Sequence, residues 1–307
     1  MFRTRQYRYP NEQVVLALTI ITLLGIIVLV STITFCLSGV FILAMFVISW
    51  ALIRSHHQGL LRGAMAINPV STPDLATLVD ECAIKLQPGP VDTFLVNKNL
   101  MNAYTFGIDN PKVLVLYRPL LRVMHGGELK FIIGHEMGHV ALGHTWLNTI
   151  IGGMAGIPAP FGAAVLMYSA FRWWNRMCEY SADRAGLLAC GDLNLAIAAL
   201  VKIVAPEVRT QQDFEQALAM LWAQKRTASN RMAEIFQSHP MLIRRVNHLR
   251  EFAQTRLYRE LQAGVNNNMA RSGGVGSTVQ KTGVEKPLAI EENEKTAQER
   301  WPWLARK

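Results

Sequence analysis

Phe131-Ile132-Ile133-Gly134-His135-Glu136-Met137-Gly138-His139 is the stretch that decides how the rest of the chain is read. It contains His-Glu-x-x-His. Side chains four residues apart on an α-helix lie one turn apart on the same face, so the imidazoles of His135 and His139 can reach one ion. Glu136 sits beside them, placed to take a proton from a metal-bound water rather than to bind the metal. A helix is expected near residues 127–144. Glu128 stands close to its start, Phe131 and Ile132 give it an apolar face, and no proline interrupts it. A buried structural histidine pair would have no need of the intervening glutamate.

Zinc in a hydrolytic site needs a third protein ligand and an open fourth position. In the metzincin pattern the third histidine falls at position 145 with glycine at 142. This chain has Thr145 and Leu142, so that route closes, and His144 is left as a structural residue or a partner behind the ligands. In intramembrane zinc proteases the motif lies within a spanning helix. Here the same helix carries Glu128, Lys130, His144 and the motif itself, too polar for hydrocarbon. A glutamate on a later helix remains. Glu179-Tyr180-Ser181-Ala182-Asp183 supplies one, with Glu179 and Asp183 on one helical face. Glu179 can bind the metal while Asp183 takes the outer N–H of a ligand histidine. Taken alone, the same pair is also what a solvated charged face would look like.

Outward toward the N-terminus, Val14–Ile53 holds 40 residues without a charged side chain. As one helix it would be ~60 Å long, about twice a ~30 Å hydrocarbon core. Two antiparallel helices joined near Cys36-Leu37-Ser38-Gly39 resolve the excess. A secretory signal fits badly, since its apolar region is only ~7–15 residues. Arg3, Arg5 and Arg8 precede the run, Arg54 and Arg62 follow it, and the turn is uncharged, so both ends are expected in the cytoplasm. His56-His57 is expected at the interface. The divisions expected are a basic cytoplasmic N-terminus over 1–13, a transmembrane hairpin over 14–54, a catalytic domain over 55–263 and a disordered tail over 264–307.

Between hairpin and motif, Thr72-Pro73-Asp74 reads as a helix start, and Pro88-Gly89-Pro90 stops that helix. Val91–Val96, Met101–Phe106 and Lys112–Tyr117 are short and rich in β-branched and aromatic residues, predicting a sheet of about three strands. Beyond the motif, helices are expected near 174–190, 193–204, 211–224 and 240–262. From about Gly264, Asn266-Asn267-Asn268 and Gly273-Gly274 mark the tail.

Composition narrows the function. Half of the 307 residues are hydrophobic and 17% are charged, which excludes a disordered or fibrous chain. The four cysteines show no C-x-x-C spacing and carry no disulfide scaffold. The net charge of +9 suits a protein lying against anionic lipid. No nucleic-acid partner is expected, because Arg244, Arg245, Arg250, Arg256 and Arg259 share a late helix without an aromatic platform.

His135-Glu136-x-x-His139, the Glu179/Asp183 pair, Asn102-Ala103-Tyr104 upstream, and His239-Pro240 followed by Arg245 downstream together resemble the membrane metallopeptidases of the HtpX and CAAX prenyl protease family, which are gluzincins. The likeness runs from about residue 70 to about residue 250, and the hairpin also matches HtpX-like members. It implies one Zn2+ per chain bound by His135, His139 and Glu179, with Glu136 as general base. It implies an edge strand at Asn102-Ala103 that pairs with an extended peptide, His239 near the reacting carbonyl as an oxyanion donor, and Arg245 in a salt bridge that holds the site together. Read without the family, His239 is equally an ordinary turn residue and Arg245 a solvated one.

HtpX-like proteins usually carry two more membrane segments between the zinc helix and the glutamate. Only Trp146–Phe171 is available here, 26 residues with Pro158 and Pro160. Two crossings would need ~40 residues, and one would strand Glu179 across the membrane. Residues 146–171 are therefore expected to dip into the bilayer or to cap the domain, breaking at Gly156-Ile157-Pro158-Ala159-Pro160.

The fold class expected is α+β and mainly helical: an N-terminal two-helix transmembrane hairpin followed by a zincin-like catalytic domain with a small sheet. The function expected is a zinc metalloendopeptidase of a bacterial-type plasma membrane, its catalytic domain in the cytoplasm. Its partners would be the bilayer and peptide or membrane-protein substrates, in quality control or precursor processing. The competing class is a non-catalytic membrane scaffold that keeps the peptidase fold.

Overall fold

The computed structural model describes residues 4–33, 37–151, 162–206, 208, 212–216, 219 and 240–271. After a short 3-10 turn at Thr4–Tyr7 come α1 (Glu12–Ile33), α2 (Leu37–Leu61), β1 (Met65–Ala66), α3 (Pro73–Leu86), β2 (Val91–Val96), β3 (Ala103–Phe106), β4 (Lys112–Tyr117) and α4 (Arg118–Val123). Then follow α5 (Gly126–Ala141), α6 (His144–Ile151), α7 (Gly162–Cys190), α8 (Leu193–Val204), α9 (Pro240–Gln254) and α10 (Arg256–Arg271). The chain is mostly helical with one small sheet.

The sheet has four strands in the order β1-β2-β4-β3. β2 and β4 run parallel, from Val91↔Lys112 to Val96↔Tyr117, and β3 pairs antiparallel to β4 from Ala103↔Leu116 to Phe106↔Val113. β4 alternates between two apolar surroundings. Leu114 and Leu116 enter the main core with α3 and α5, while Val115 and Tyr117 pack with Leu60 of α2. A central strand covered on both faces reads as a continuous apolar run, which explains Lys112–Tyr117. The two-residue β1, added beside β2, was too short to give a sequence signal. β3 starts at Ala103, two residues later than expected.

Helices α5 and α7 make the central packing. Gly138 on α5 faces Ala185, where an added Cβ would sit 2.5 Å from the Ala185 methyl. Gly186 on α7 faces the Phe131 carbonyl oxygen, 2.7 Å from where its own Cβ would be. Backbone here meets backbone, so the two helices approach more closely than side chains would permit. Gly186→Ala is expected to force α7 away from α5 and to destabilise the chain by about 1–3 kcal/mol, the usual cost of overpacking. A thermal unfolding scan that matches the unaltered chain would refute the close approach.

At its start α5 is closed by a capping box: the Glu128 carboxylate accepts from the His125 backbone N–H at 2.9 Å. Glu128 also holds the buried Lys202 ammonium of α8 at 2.8 and 3.0 Å. At its end α5 stops at Ala141, earlier than the expected 144. Gly143 adopts φ +78°, a left-handed turn that glycine takes without strain. His144 therefore begins α6 instead of continuing the motif helix, and it swings back behind His139.

Other expectations shift for packing reasons. α7 begins at Gly162, well before 174, so part of the 146–171 segment belongs to the helix that carries Glu179. The break at 156–160 and most of the helix expected at 211–224 lie outside the described residues. The helix expected at 240–262 is two helices meeting at Thr255. The tail does not start at 264: α10 continues to Arg271 because Leu261 and Val265 are buried in the main core. The turn expected at 36–39 is also displaced, since Leu37–Gly39 already belong to α2.

α1 is long and apolar enough to cross a bilayer by length and composition. Ile21, Leu24, Val28 and Leu29 are exposed along it, while Val15 near its base packs against Leu147, Phe171 and Trp174. At the other end of α2, His57 is buried and stacked on Phe106 of β3 with ring centroids 3.7 Å apart. Its expected interfacial position is thus a seat on the sheet. The 1–13 segment is also not a free basic flank, since Tyr7 and Glu12 are buried.

Candidate metal centre

His135 and His139 project from α5 toward Glu179 on α7, and all three offer a ligand atom within 4.8 Å of one another. The two Nε2 atoms lie 3.2 Å apart. One Glu179 oxygen lies 3.5 Å from His135 Nε2, and the other 3.4 Å from His139 Nε2. For metal bonds of ~2.0–2.1 Å in a tetrahedron, ligand atoms are separated by ~3.3 Å. The two imidazoles and the carboxylate therefore converge at separations close to those between the ligand atoms of a tetrahedral ion.

Behind His135, Asp183 Oδ1 accepts from Nδ1 at 3.0 Å. This is the contact expected of a carboxylate four residues after Glu179. Arg245 of α9 clamps Asp183 with Nε to Oδ2 at 2.8 Å and Nη2 to Oδ1 at 2.6 Å, and its Nη1 reaches Glu179 at 3.0 Å. Bidentate guanidinium–carboxylate pairing fixes both direction and charge. Burial pushes the Glu179 and Asp183 carboxyls up, but Arg245 and the histidines outweigh it, and both are held below the usual carboxylate range. For Glu136 burial prevails. Its carboxyl is raised, with Glu179 adding to the rise and His135, His139 and Arg245 opposing it. One carboxylate is thereby kept anionic and another made more basic in the same pocket, as ligand and proton acceptor require.

Behind His139 the partner is His144, with the two Nδ1 atoms 3.0 Å apart, and His144 Nε2 lies 2.9 Å from Glu12 Oε1. The Gly143 turn that delivers His144 was readable only as a lone glycine. The contribution of Glu12, 132 residues away in sequence, carried no signal at all.

Ala103 opens β3, the strand at one edge of the sheet, and the Asn102 carbonyl accepts from Tyr117 N–H at 3.1 Å. β3 lies against α5, which places the Asn102–Ala103 edge beside the helix bearing the motif. His239 lies outside the described residues.

Residues 69–253, more than half of the chain, match Peptidase family M48. The chain belongs to that family. Among its M48 relatives is the "Plastoglobule-localized metallopeptidase 48, chloroplastic" of Arabidopsis thaliana, 28% identical over 225 residues, which are 68% of this chain and 62% of the relative. The chain thus spans less than two thirds of that protein's length. "Protease HtpX homolog" of Desulfatibacillum aliphaticivorans is 24% identical over 61% of this chain and 71% of the relative. The protein of the same name from Thermococcus kodakarensis is 24% identical over 62% and 77%. No solved structure matches. The match to HtpX homologues identifies an HtpX-like metallopeptidase, and M48 peptidases are metal-dependent.

Proposed function

We propose that this chain is a membrane-anchored zinc endopeptidase. The reading rests on the convergence of His135, His139 and Glu179, with the two Nε2 atoms 3.2 Å apart and each facing a Glu179 oxygen at 3.4–3.5 Å. Zinc bound there supplies Lewis-acid polarisation of a peptide carbonyl and lowers the pKa of a water toward ~7. The protein's own groups do the rest. Glu136, raised in basicity by burial, accepts the proton of the attacking water and hands it to the leaving amine. The family resemblance, and no described contact, makes His239 the candidate donor to the developing oxyanion. At the Asn102–Ala103 edge of β3 an extended substrate joins the sheet as an added strand, its carbonyl replacing Asn102 Oδ1 as the acceptor of the Ala103 N–H. Asp183 and Arg245 keep His135 and Glu179 aimed.

α1 and α2 serve as a transmembrane hairpin, supported by the exposed apolar length of α1 and the uncharged run through 53. The domain over 55–263, which begins in the last turns of α2 and whose final described helix continues to 271, works on the cytoplasmic side of a plasma membrane. Its substrates are membrane proteins or precursors, in quality control or processing. Detergent-purified full-length protein is expected to cleave casein, to stop when 1,10-phenanthroline strips the metal, and to resume when zinc is restored. Full zinc occupancy without cleavage of casein or of any membrane protein would favour the scaffold reading instead.

A further inference from the structure

We propose that Glu12, at the first turn of the apolar helix α1, is a positioning residue for the metal: through His144 it fixes the proton pattern and the orientation of the ligand His139. This rests on the zinc reading above. A histidine that binds through Nε2 carries its proton on Nδ1. His139 Nδ1–H then donates to His144 Nδ1 across 3.0 Å, which must offer a lone pair. The single proton of neutral His144 is thereby placed on Nε2, where it donates to Glu12 Oε1 across 2.9 Å. Only an acceptor can end this chain, and a carboxylate is one. His139, His144 and Glu12 are all buried, so water cannot substitute for a missing partner.

The two ligand histidines are thus supported alike. His135 has the carboxylate of Asp183, neutralised by Arg245. His139 has the carboxylate of Glu12 one imidazole removed, neutralised by Arg8. Ser181 on α7 donates to the other Glu12 oxygen. The segment is strapped down around this point: Arg8 Nη2 donates to the Leu142 carbonyl at 2.6 Å, Tyr9 N–H to Ser181 Oγ at 2.8 Å, and Arg184 Nη1 to the Arg8 carbonyl at 3.2 Å. Cys178 also offers its sulfur near Glu12 and His144, a trio with the composition of a second cation site. The Arg8 guanidinium already supplies the positive charge on Glu12 Oε1, so His144 and Glu12 act as a hydrogen-bonded pair. The anchor and the metal centre are consequently two hydrogen bonds apart.

The test is zinc affinity of full-length, detergent-purified protein, read by competition with a chromophoric chelator. Glu12→Leu, which removes the acceptor, and His144→Ala are each expected to weaken zinc about 10–100-fold, the usual cost of losing a partner behind a ligand. The double variant should bind no more weakly than His144→Ala alone, because Glu12 acts through His144. His144→Asn, which restores an acceptor near the Nδ1 position, should recover most of the affinity. A role confined to holding α1 on α7 would lower the unfolding temperature of the zinc-free protein and leave affinity unchanged. Unchanged affinity in Glu12→Leu, or losses that multiply in the double variant, would overturn the proposal. Should Glu12→Leu fail to fold, equal affinities for His144→Ala and His144→Asn would overturn it as well. Failure of the unaltered chain to take up zinc is a separate result that removes the metal reading itself.

Discussion

Glu136→Gln is expected to retain zinc at the level of the unaltered chain and to lose peptide hydrolysis by about 10²–10⁴-fold, the range for removing a general acid–base group. The side chain keeps its shape, and none of the three ligand contacts involves residue 136. What disappears is the proton acceptor. In the unaltered chain burial raises the Glu136 carboxyl, so its anion takes a proton more readily than an exposed glutamate would. An amide has no such capacity. The measurements are metal content and casein cleavage on the same preparation. Normal cleavage by this variant would remove Glu136 from the proposed chemistry. Loss of zinc along with activity would make it part of the ligand set. A variant that binds but does not cleave would also retain substrates, and comparing membranes of cells carrying it with those of the unaltered chain would name them.

His135→Ala is expected to lower zinc from about one ion per chain to near none, because two ligands on adjacent helices do not complete a structural tetrahedron. The loss extends beyond one bond. Asp183 would lose the Nδ1 donor it accepts from at 3.0 Å, and the Arg245 clamp would then answer to carboxylates alone. Arg245 holds Glu179 and Asp183 through contacts that do not involve residue 135, so the fold itself should survive. Metal analysis of the purified variant, with a far-UV spectrum as control, decides this. Stoichiometric zinc in a folded His135→Ala protein would mean that the ion is held elsewhere.

The site was legible where its spacing is local. His135, Glu136 and His139 sit within one turn and a half of a single helix, so periodicity alone puts them together. Glu179 and Asp183 are also one helical turn apart, and the chemistry of zinc called for a carboxylate, yet no spacing could join α7 to α5. That depends on Gly138 and Gly186 letting the helices approach, which brings the Glu179 oxygens to within 3.4–3.5 Å of the imidazoles. Arg245 looked like a surface arginine in sequence and is mostly buried against two carboxylates. Glu12 looked like part of a basic flank, and its burial reverses that reading. His144, whose register fits no ligand pattern, is expected as a structural residue or a partner behind the ligands, and the Gly143 turn places it behind His139.

The amino-acid sequence determined on its own the motif helix and its chemistry, the long uncharged N-terminal run, the two long strands of the sheet, and the choice of a later glutamate. These follow from helical and strand periods and from the cost of placing charge in hydrocarbon, all of which act over a few residues. Only the tertiary structure decided which distant groups stand behind each ligand: Asp183 with Arg245 behind His135, and His144 with Glu12 behind His139. Apart from His139 and His144, which are five positions apart, such contacts join residues 48 to 132 positions apart. They exist because buried polar groups must find partners once the helices pack, and packing is a property of the whole chain that no local pattern records.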